Sequence, residues 1–334
     1  MSIPNAKKER IAHTVIKVLN TRFNSFPNED DVNRNAPFHV AFVRAFQSKL
    51  EGRVKNIPDF INLSSWMHGL NTTLGQTFFE NVAHILCDGQ KREFKSNEIY
   101  KNQVIAISEI MTNLKNGVKH PSLYEEECAL RLYEYGEKEM APNFTADCFY
   151  ETNKKVVAIE LKSVRPNSGE MRGEKQKILT GKAVLEDKYP GKEVNYIFGF
   201  PFDPTASEDV GYNKERFLKY LVEAEKFIAH EDFLIADELW SFLADSKNAM
   251  QEILDIINAI ATPEFMEKFE KIQAKETSSK EKREIFNDWF LYTEIEILDK
   301  VVETTKNSRI YNQTIFKTDG SYNDNRLKLL KDIE

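Results

Sequence analysis

The stretch that decides the fold is ADCFYETNKKVVAIELKS, residues 146–163. Its second half alternates as a β-strand does, so Glu160 and Lys162 share one face and the apolar residues between them occupy the other. Asp147 precedes a short turn at 152–155, and a hairpin with that turn brings Asp147 alongside Glu160. Three charged side chains in an otherwise apolar sheet are costly unless something compensates them. The pattern therefore predicts a charged site at one edge of the sheet.

Two carboxylates beside a lysine are typical of a magnesium site that hydrolyses phosphodiesters. Divalent cations held by carboxylates activate water and neutralise phosphate charge, and Mg²⁺ prefers such oxygen ligands. The pattern acid-x-Lys occurs four times, and only at Glu160 does it lie inside a buried-strand pattern with an acid on the preceding strand. The copy at Glu93 follows a loop without an apolar strand around it. The alternative interpretation is a salt-bridged sheet edge without chemistry.

The flanking sequence predicts an α/β fold. Apolar residues at three- and four-residue spacing indicate helices, and short aromatic or aliphatic stretches between turn residues indicate strands. The resulting order is helix, three strands, helix, strand, which predicts a mixed sheet with helices on both sides. The predicted helices lie within 5–56 (with a break at 26–31), 74–88, 100–115, 169–188 and 213–307, and the predicted strands at 125–135, 143–150, 155–163 and 194–202.

Three regions are expected from this order. Residues 1–63 form an N-terminal helical segment, 64–205 the α/β core, and 206–334 a C-terminal helical region for dimerisation or DNA contacts. The charged stretch at 271–284 is either a solvated helix face or a connector. At 334 residues with 11% aromatic content, the chain is long and apolar enough for a packed globular protein.

Composition excludes several kinds of site. Three scattered cysteines give no disulfide framework or zinc knuckle and cannot supply the four ligands of an iron–sulfur cluster, and the six histidines form no close pair. We expect no nucleotide or haem cofactor. The chain has no run of 18 apolar residues and its N-terminus has no secretory pattern, so we expect a cytoplasmic protein without a membrane span.

The charge distribution permits a nucleic-acid partner. The net charge is −7, but residues 151–192 hold ten Lys/Arg against six Asp/Glu. An acidic protein can bind DNA when its positive charge lines the cleft.

With these residues and this element order, the sequence resembles the type II restriction endonucleases of the PD-(D/E)xK nuclease superfamily, over residues 64–202. Asp147 matches the first acid, Glu160 the second and Lys162 the lysine, although Ala146 stands where the motif has proline. The resemblance implies a restriction-endonuclease-like α-β-β-β-α-β core and Mg²⁺-dependent cleavage of double-stranded DNA that leaves 5′-phosphate and 3′-hydroxyl ends. Mn²⁺ is expected to substitute for Mg²⁺, and a palindromic site favours a homodimer.

The resemblance also implies further site residues. The Leu161 carbonyl is a candidate metal ligand, and Glu80 matches a helix acid near the metal, the alternative being a solvent-exposed helix acid. The segment RPNSGEMRGEKQKIL at 165–179 resembles the loop and helix of the subset that recognises GGNCC-like sites. Because arginine suits a bidentate contact with guanine, this segment is expected to contact DNA, although it could also be a solvated basic helix. The candidates are Arg165, Asn167, Arg172 and Lys175.

Two other functions remain open on the residues alone. One is a repair or recombination nuclease on the same core. The other is a non-catalytic helical interaction protein in which Asp147, Glu160 and Lys162 merely pair. A plasmid cleavage assay with divalent metal distinguishes these two functions from a restriction endonuclease.

Overall fold

The computed structural model describes residues 2–27, 43–162, 168–304 and 313–326. Contacts divide the chain into two compact units. The sheet unit contains Met1–Lys8 and Phe79–Asp255, and the helical unit contains Glu9–Phe78 and Ile256–Glu334. This division joins most of the predicted N-terminal region with the part of the predicted C-terminal region that begins at Ile256, whereas residues 206–255 belong to the sheet unit. The boundaries predicted at residues 63 and 205 remain a proposal.

The strands lie in the middle part of the chain, and helices precede, separate and follow them. Short 3₁₀ turns occur at Arg44–Phe46 and Ala224–Lys226, and a π-helical segment occurs at Leu74–Phe79. The α-helices are α1 Asn5–Asn24, α2 Gln47–Leu50, α3 Ile57–Thr73, α4 Glu80–Cys87, α5 Lys101–Lys115, α6 Leu123–Leu132, α7 Ser168–Lys188, α8 Lys214–Tyr220, α9 Asp237–Ala244, α10 Ala249–Ile260, α11 Phe265–Gln273, α12 Ser279–Asp288 and α13 Tyr292–Thr304. The strands are β1 Gln90–Phe94, β2 Glu98–Tyr100, β3 Lys138–Met140, β4 Phe144–Glu151, β5 Lys155–Leu161, β6 Glu193–Phe200 and β7 Phe233–Ile235.

The main sheet is mixed, as expected. Its order is β1-β4-β5-β6-β7, with β1, β4 and β5 antiparallel and β5, β6 and β7 parallel. The hairpin between β4 and β5 pairs Cys148 with Ile159, and α7 forms the crossover between parallel β5 and β6. The predicted α-β-β-β-α-β core is therefore present as α4, β1, β4, β5, α7 and β6. A separate pair, β2 and β3, lies outside this sheet.

Strand β5 is the central strand and is buried on both faces. The side chains of residues 156–159 have no exposed surface, which explains the apolar run VVAI. One face packs against α7, where Gly181 lies so close to Tyr196 that a Cβ at this glycine would approach Tyr196 Cε1 to 2.4 Å. The close approach of α7 to the sheet thus depends on the missing side chain at Gly181.

Two secondary-structure predictions were wrong at the first strand. Residues 125–135, predicted as a strand, lie mostly in α6, where the Ser122 side chain caps the helix and Glu126 and Leu130 are buried one turn apart. The first strand of the meander is instead β1, with the sequence QKREF. As an edge strand it exposes most of its side chains, so it lacks an apolar pattern. Glu93 therefore does lie in a strand.

The C-terminal stretch from residue 213 is mainly helical, as predicted, but it also contains β7. This three-residue strand pairs Phe198 with Phe233 and extends the sheet to Ile235. The charged stretch at 271–284 contains the end of α11, a short connector at 274–278 and the start of α12. Both interpretations of that stretch are thus partly confirmed.

The helical unit is held together by contacts between its N-terminal and C-terminal segments. His13 on α1 stacks on Tyr322 with ring centroids 4.1 Å apart, and burial lowers the pKa of His13 to about 3. Glu294 accepts a hydrogen bond of 2.7 Å from the Tyr322 hydroxyl and forms a buried ion pair with Arg326. Across the described part of the chain, no helix has the length and apolar character needed to cross a membrane.

Candidate active site

Asp147 lies on β4 next to the end of β5. Its carboxylate oxygen Oδ2 accepts a hydrogen bond of 3.0 Å from the Leu161 amide. Its backbone carbonyl oxygen lies 2.7 Å from His84 Nε2 on α4. These contacts fix Asp147 beside the Glu160–Leu161 peptide, where the predicted hairpin register places it.

Glu160 on β5 and Lys162, which directly follows β5, have their charged groups on the same side, as the alternation predicts. Lys162 Nζ lies 3.5 Å from Glu160 Oε1, and the Glu160 side chain is only 5% exposed. Burial, reinforced by the negative charge of Asp147, raises the pKa of Glu160 to about 7, although Lys177 opposes the shift. The hairpin therefore brings two carboxylates close enough to repel each other.

Helix α7 contributes two side chains that were not predicted from the sequence. Glu174 Oε1 accepts a hydrogen bond of 2.8 Å from Lys162, and Lys177 Nζ donates one of 2.6 Å to Glu160 Oε2. Burial lowers the pKa of Lys162, but its hydrogen bond to Glu174 and the charge of Glu160 outweigh burial and raise the pKa. The i,i+3 spacing of Glu174 and Lys177 is a pattern that indicates a shared helix face.

Strand β1 contributes another such side chain, Lys91. Lys91 Nζ lies 3.3 Å from Asp147 Oδ1 and donates hydrogen bonds of 3.1 Å to both carboxylate oxygens of Glu80. Glu80, at the start of α4, is 16% exposed and thus largely covered. Lys91 therefore links Glu80 to Asp147, and it was missed because β1 itself was missed.

The oxygen ligands present fit a hard divalent cation. Within the described ranges, no group of three or more His, Cys, Asp or Glu side chains is arranged to hold a metal ion. Two adjacent carboxylates, Asp147 and Glu160, are present, and magnesium is commonly held by one or two carboxylates together with water and substrate phosphate. The negative charge of Asp147 adds to burial in raising the pKa of Glu160, and a bound cation would offset both effects by favouring the ionised carboxylate.

The candidate DNA contacts have different placements. Lys175 has no exposed surface, and its ammonium pairs with Glu126 Oε2 at 2.7 Å and Asp232 Oδ2 at 2.5 Å. A lysine enclosed in this way cannot reach a DNA backbone, so the prediction of a DNA contact at Lys175 is corrected to an internal ion triad. Arg172 is exposed on α7. Arg165 and Asn167 lie outside the described residues.

Comparison with known proteins identifies the class. A family model, the type II restriction endonuclease HinfI, matches residues 3–261. The chain is also 42% identical to the type II restriction enzyme MjaII of Methanocaldococcus jannaschii, over 97% of this chain and 96% of that enzyme. The α/β core with these matches defines a site-specific endonuclease, a hydrolase of DNA. In particular, the chain belongs to the HinfI family of type II restriction endonucleases.

Two general properties of type II restriction enzymes follow from this family assignment. Type II restriction enzymes are the nucleases of restriction–modification systems and generally use divalent metal ions. The match over nearly the whole chain favours this function over a repair nuclease or a non-catalytic interaction protein.

Proposed function

We propose that this endonuclease hydrolyses DNA at a Mg²⁺ site formed by Asp147 and Glu160, with Lys162 as the third catalytic residue. The observation that carries the proposal is the hydrogen bond of 3.0 Å from the Leu161 amide to Asp147 Oδ2. Through this bond, the first acid is held against the strand that carries the second acid and the lysine. An ordinary salt-bridged sheet edge does not require two acids to face each other.

The metal ligands would be the carboxylates of Asp147 and Glu160 and the backbone carbonyl of Leu161. Glu80 lies within reach of the same cluster through Lys91 and is the remaining candidate ligand. When bound, Mg²⁺ supplies charge neutralisation at the phosphate and lowers the pKa of a bound water. Mn²⁺ accepts the same oxygen ligands and should replace it.

Lys162 would orient the attacking water and stabilise negative charge that develops on the phosphate. The Lys162 side chain, which is 15% exposed, directly follows β5 and places its ammonium beside Glu160. A fixed positive charge in a partly desolvated site stabilises such developing charge more strongly than it would in water. The proposed products carry 5′-phosphate and 3′-hydroxyl ends.

Sequence recognition is proposed for the segment that follows β5. Arg165, Asn167 and exposed Arg172 would contact a GGNCC-like site, with arginine suited to guanine O6 and N7. A palindromic site of this kind is matched by a homodimer, whose two-fold axis coincides with that of the DNA. We also propose a cytoplasmic location, the compartment that holds the DNA to be cut.

A plasmid cleavage assay tests the proposal. The wild type should produce discrete fragments in Mg²⁺ or Mn²⁺ and none in EDTA, whereas Ca²⁺ should support binding without efficient cleavage. Glu160→Ala and Lys162→Ala should bind DNA and fail to cut it. Lys192→Met, which removes an ion pair of Lys192 with Glu151 outside the site, is the control and should cut normally. Wild-type cleavage by either site variant would contradict the proposed catalytic residues.

A further inference from the structure

Four side chains form a closed ring of alternating charges on the α7 side of the sheet. From Glu160 the ring runs to Lys162 at 3.5 Å and from Lys162 to Glu174 at 2.8 Å. It continues from Glu174 to Lys177 at 3.6 Å and returns from Lys177 to Glu160 at 2.6 Å. We call these four residues the charge ring. Glu160 lies on β5, Lys162 directly follows it, and the other two members lie on α7.

The contacts that Glu174 and Lys177 of α7 make with Lys162 and Glu160 are shorter than the contact between Glu160 and Lys162. Lys162 lies 2.8 Å from Glu174 but 3.5 Å from Glu160, and Glu160 lies 2.6 Å from Lys177 but 3.5 Å from Lys162. Glu160 and Lys162 therefore each have their nearest opposite charge on the helix. These contacts indicate that α7 sets the positions of both charged groups.

Helix α7 is itself held firmly in the sheet unit. Between the two ring members, Lys175 points away from the ring into the internal ion triad with Glu126 and Asp232. One turn beyond the ring, the close contact of Gly181 with Tyr196 sets the distance from helix to sheet. A helix anchored at two such points can place Glu174 and Lys177 with the accuracy that a catalytic site needs.

We propose that Glu174 and Lys177 are positioning residues for the reaction, Glu174 for the Lys162 ammonium and Lys177 for the Glu160 carboxylate. This inference rests on the proposed roles of Glu160 and Lys162. Lys177 keeps Glu160 in place in the metal-free enzyme, where its ammonium compensates the negative charge of Glu160. When a divalent cation is held by Glu160, the cation would supply that compensation instead. Partners that orient catalytic groups in this way change metal affinity or activity when they are replaced, typically by about 10–100-fold.

The test of Glu174 separates turnover from binding. Glu174→Gln removes the charge that holds Lys162 and should lower kcat by about 10–100-fold, while the Kd for DNA in Ca²⁺ stays within about two-fold of wild type. Glu186→Gln is the matched control, because Glu186 is on the same helix, is 19% exposed against 18% for Glu174, and pairs with Arg131, which is outside the ring. The control should keep wild-type kcat. Glu174→Asp should recover part of the lost activity.

The test of Lys177 uses Ca²⁺ alone, without turnover. Because Lys177 competes with a cation for Glu160, Lys177→Met should tighten Ca²⁺ binding, measured as the Ca²⁺-dependent shift in Tm relative to EDTA. Lys177→Arg keeps the charge and should behave as wild type. Lys192→Met is the control, since Lys192 is 24% exposed against 25% for Lys177 and its ion pair has the same length, 2.6 Å. A lysine with a purely structural role would weaken Ca²⁺ binding or leave it unchanged when removed.

The possible failures are distinguishable. Wild-type kcat in Glu174→Gln, or unchanged or weaker Ca²⁺ binding in Lys177→Met, overturns the positioning roles if Glu160→Ala and Lys162→Ala are inactive. Activity in Glu160→Ala or Lys162→Ala, or a wild type without any Ca²⁺-dependent shift, overturns the proposed function together with this inference. The Tm of each variant in EDTA reveals a loss of fold. If Glu174→Gln does not fold, Glu174→Asp carries the test, and if Lys177→Met does not fold, Lys177→Gln, which also removes the charge, takes its place.

Discussion

The Leu161 amide donates a hydrogen bond to the carboxylate of Asp147 on the neighbouring strand. The registered pairing of β4 with β5 runs as far as Cys148 and Ile159, and this side-chain contact lies directly beyond it, where the charged residues begin. Asp147 consequently serves both the packing of the hairpin and the proposed chemistry.

These two roles of Asp147 can be separated by substitution. Asp147→Asn keeps an oxygen that can accept the Leu161 hydrogen bond, whereas Asp147→Ala leaves that amide without its partner. Both variants should lose cleavage by about 100-fold or more, because several kcal/mol of charge stabilisation is lost. The alanine variant should in addition be less stable than the asparagine variant by about 1–3 kcal/mol in denaturant unfolding. Equal stabilities would show that this hydrogen bond contributes nothing to the fold.

The stability of the metal-free protein should depend on the ionisation of Glu160. The folded-state pKa of about 7 is raised above the ordinary 4.5, so the folded protein binds the proton more tightly than the unfolded chain. The contribution is fully present below pH 4.5 and is lost as the pH rises through 7. It amounts to about 3 kcal/mol at most.

Glu160→Gln removes this titration. Between pH 5 and 8, in EDTA, the free energy of unfolding of the wild type should fall more steeply than that of the variant. Other carboxyl groups with raised pKa, such as Glu126 and Glu186, contribute equally to both proteins and cancel in the difference. Parallel pH curves for the two proteins would contradict the raised pKa of Glu160.

Two glycines of α7 provide a matched pair for the packing of this helix on the sheet. A Cβ at Gly181 would meet the Tyr196 ring at 2.4 Å, whereas a Cβ at Gly173 would meet nothing within 4 Å. Gly181→Ala should therefore destabilise the protein by about 1–3 kcal/mol through overpacking. Gly173→Ala should stabilise it by up to about 1 kcal/mol, since alanine is the better helix former. Thermal unfolding of both variants measures the difference, and the same sign in both would contradict the close helix–sheet contact.

Lys175 and Arg172 should respond in opposite ways to substitution. Lys175→Met leaves Glu126 and Asp232 buried without their cation and should cost about 3–5 kcal/mol of stability. Arg172→Ala, at an exposed position of the same helix, should change stability by less than about 0.5 kcal/mol. If Arg172 contacts a phosphate, its removal should reduce the salt dependence of DNA binding by about one unit of slope, whereas folded Lys175→Met should not. A reduced salt slope with normal stability in Lys175→Met would restore Lys175 as a DNA contact.

The parts of the site that could be predicted are those determined by residues close together in the sequence. Alternation in β5 and a short turn were enough to bring Asp147, Glu160 and Lys162 together. Strand β1 was missed because most side chains of this edge strand are exposed, so its sequence has few apolar residues. The position of Lys91, which lies on β1, was therefore missed as well. The error at Lys175 has a different cause. Its ion partners are far away in the sequence, and a basic residue on a helix has no local feature that distinguishes a buried triad from a DNA contact.

The linked charges around the site also couple its ligands thermodynamically. With every group ionised, the ring and the neighbouring Lys91 pairs carry one more negative than positive charge, so the metal-free enzyme opposes an approaching phosphate. One divalent cation reverses that sign, and a single phosphate then brings the site to neutrality. Bound metal should accordingly increase the affinity of the enzyme for DNA. Because the coupling between two ligands is reciprocal, bound DNA should increase the affinity for metal by the same factor. The side chains concerned are Glu80, Lys91, Asp147, Glu160, Lys162, Glu174 and Lys177.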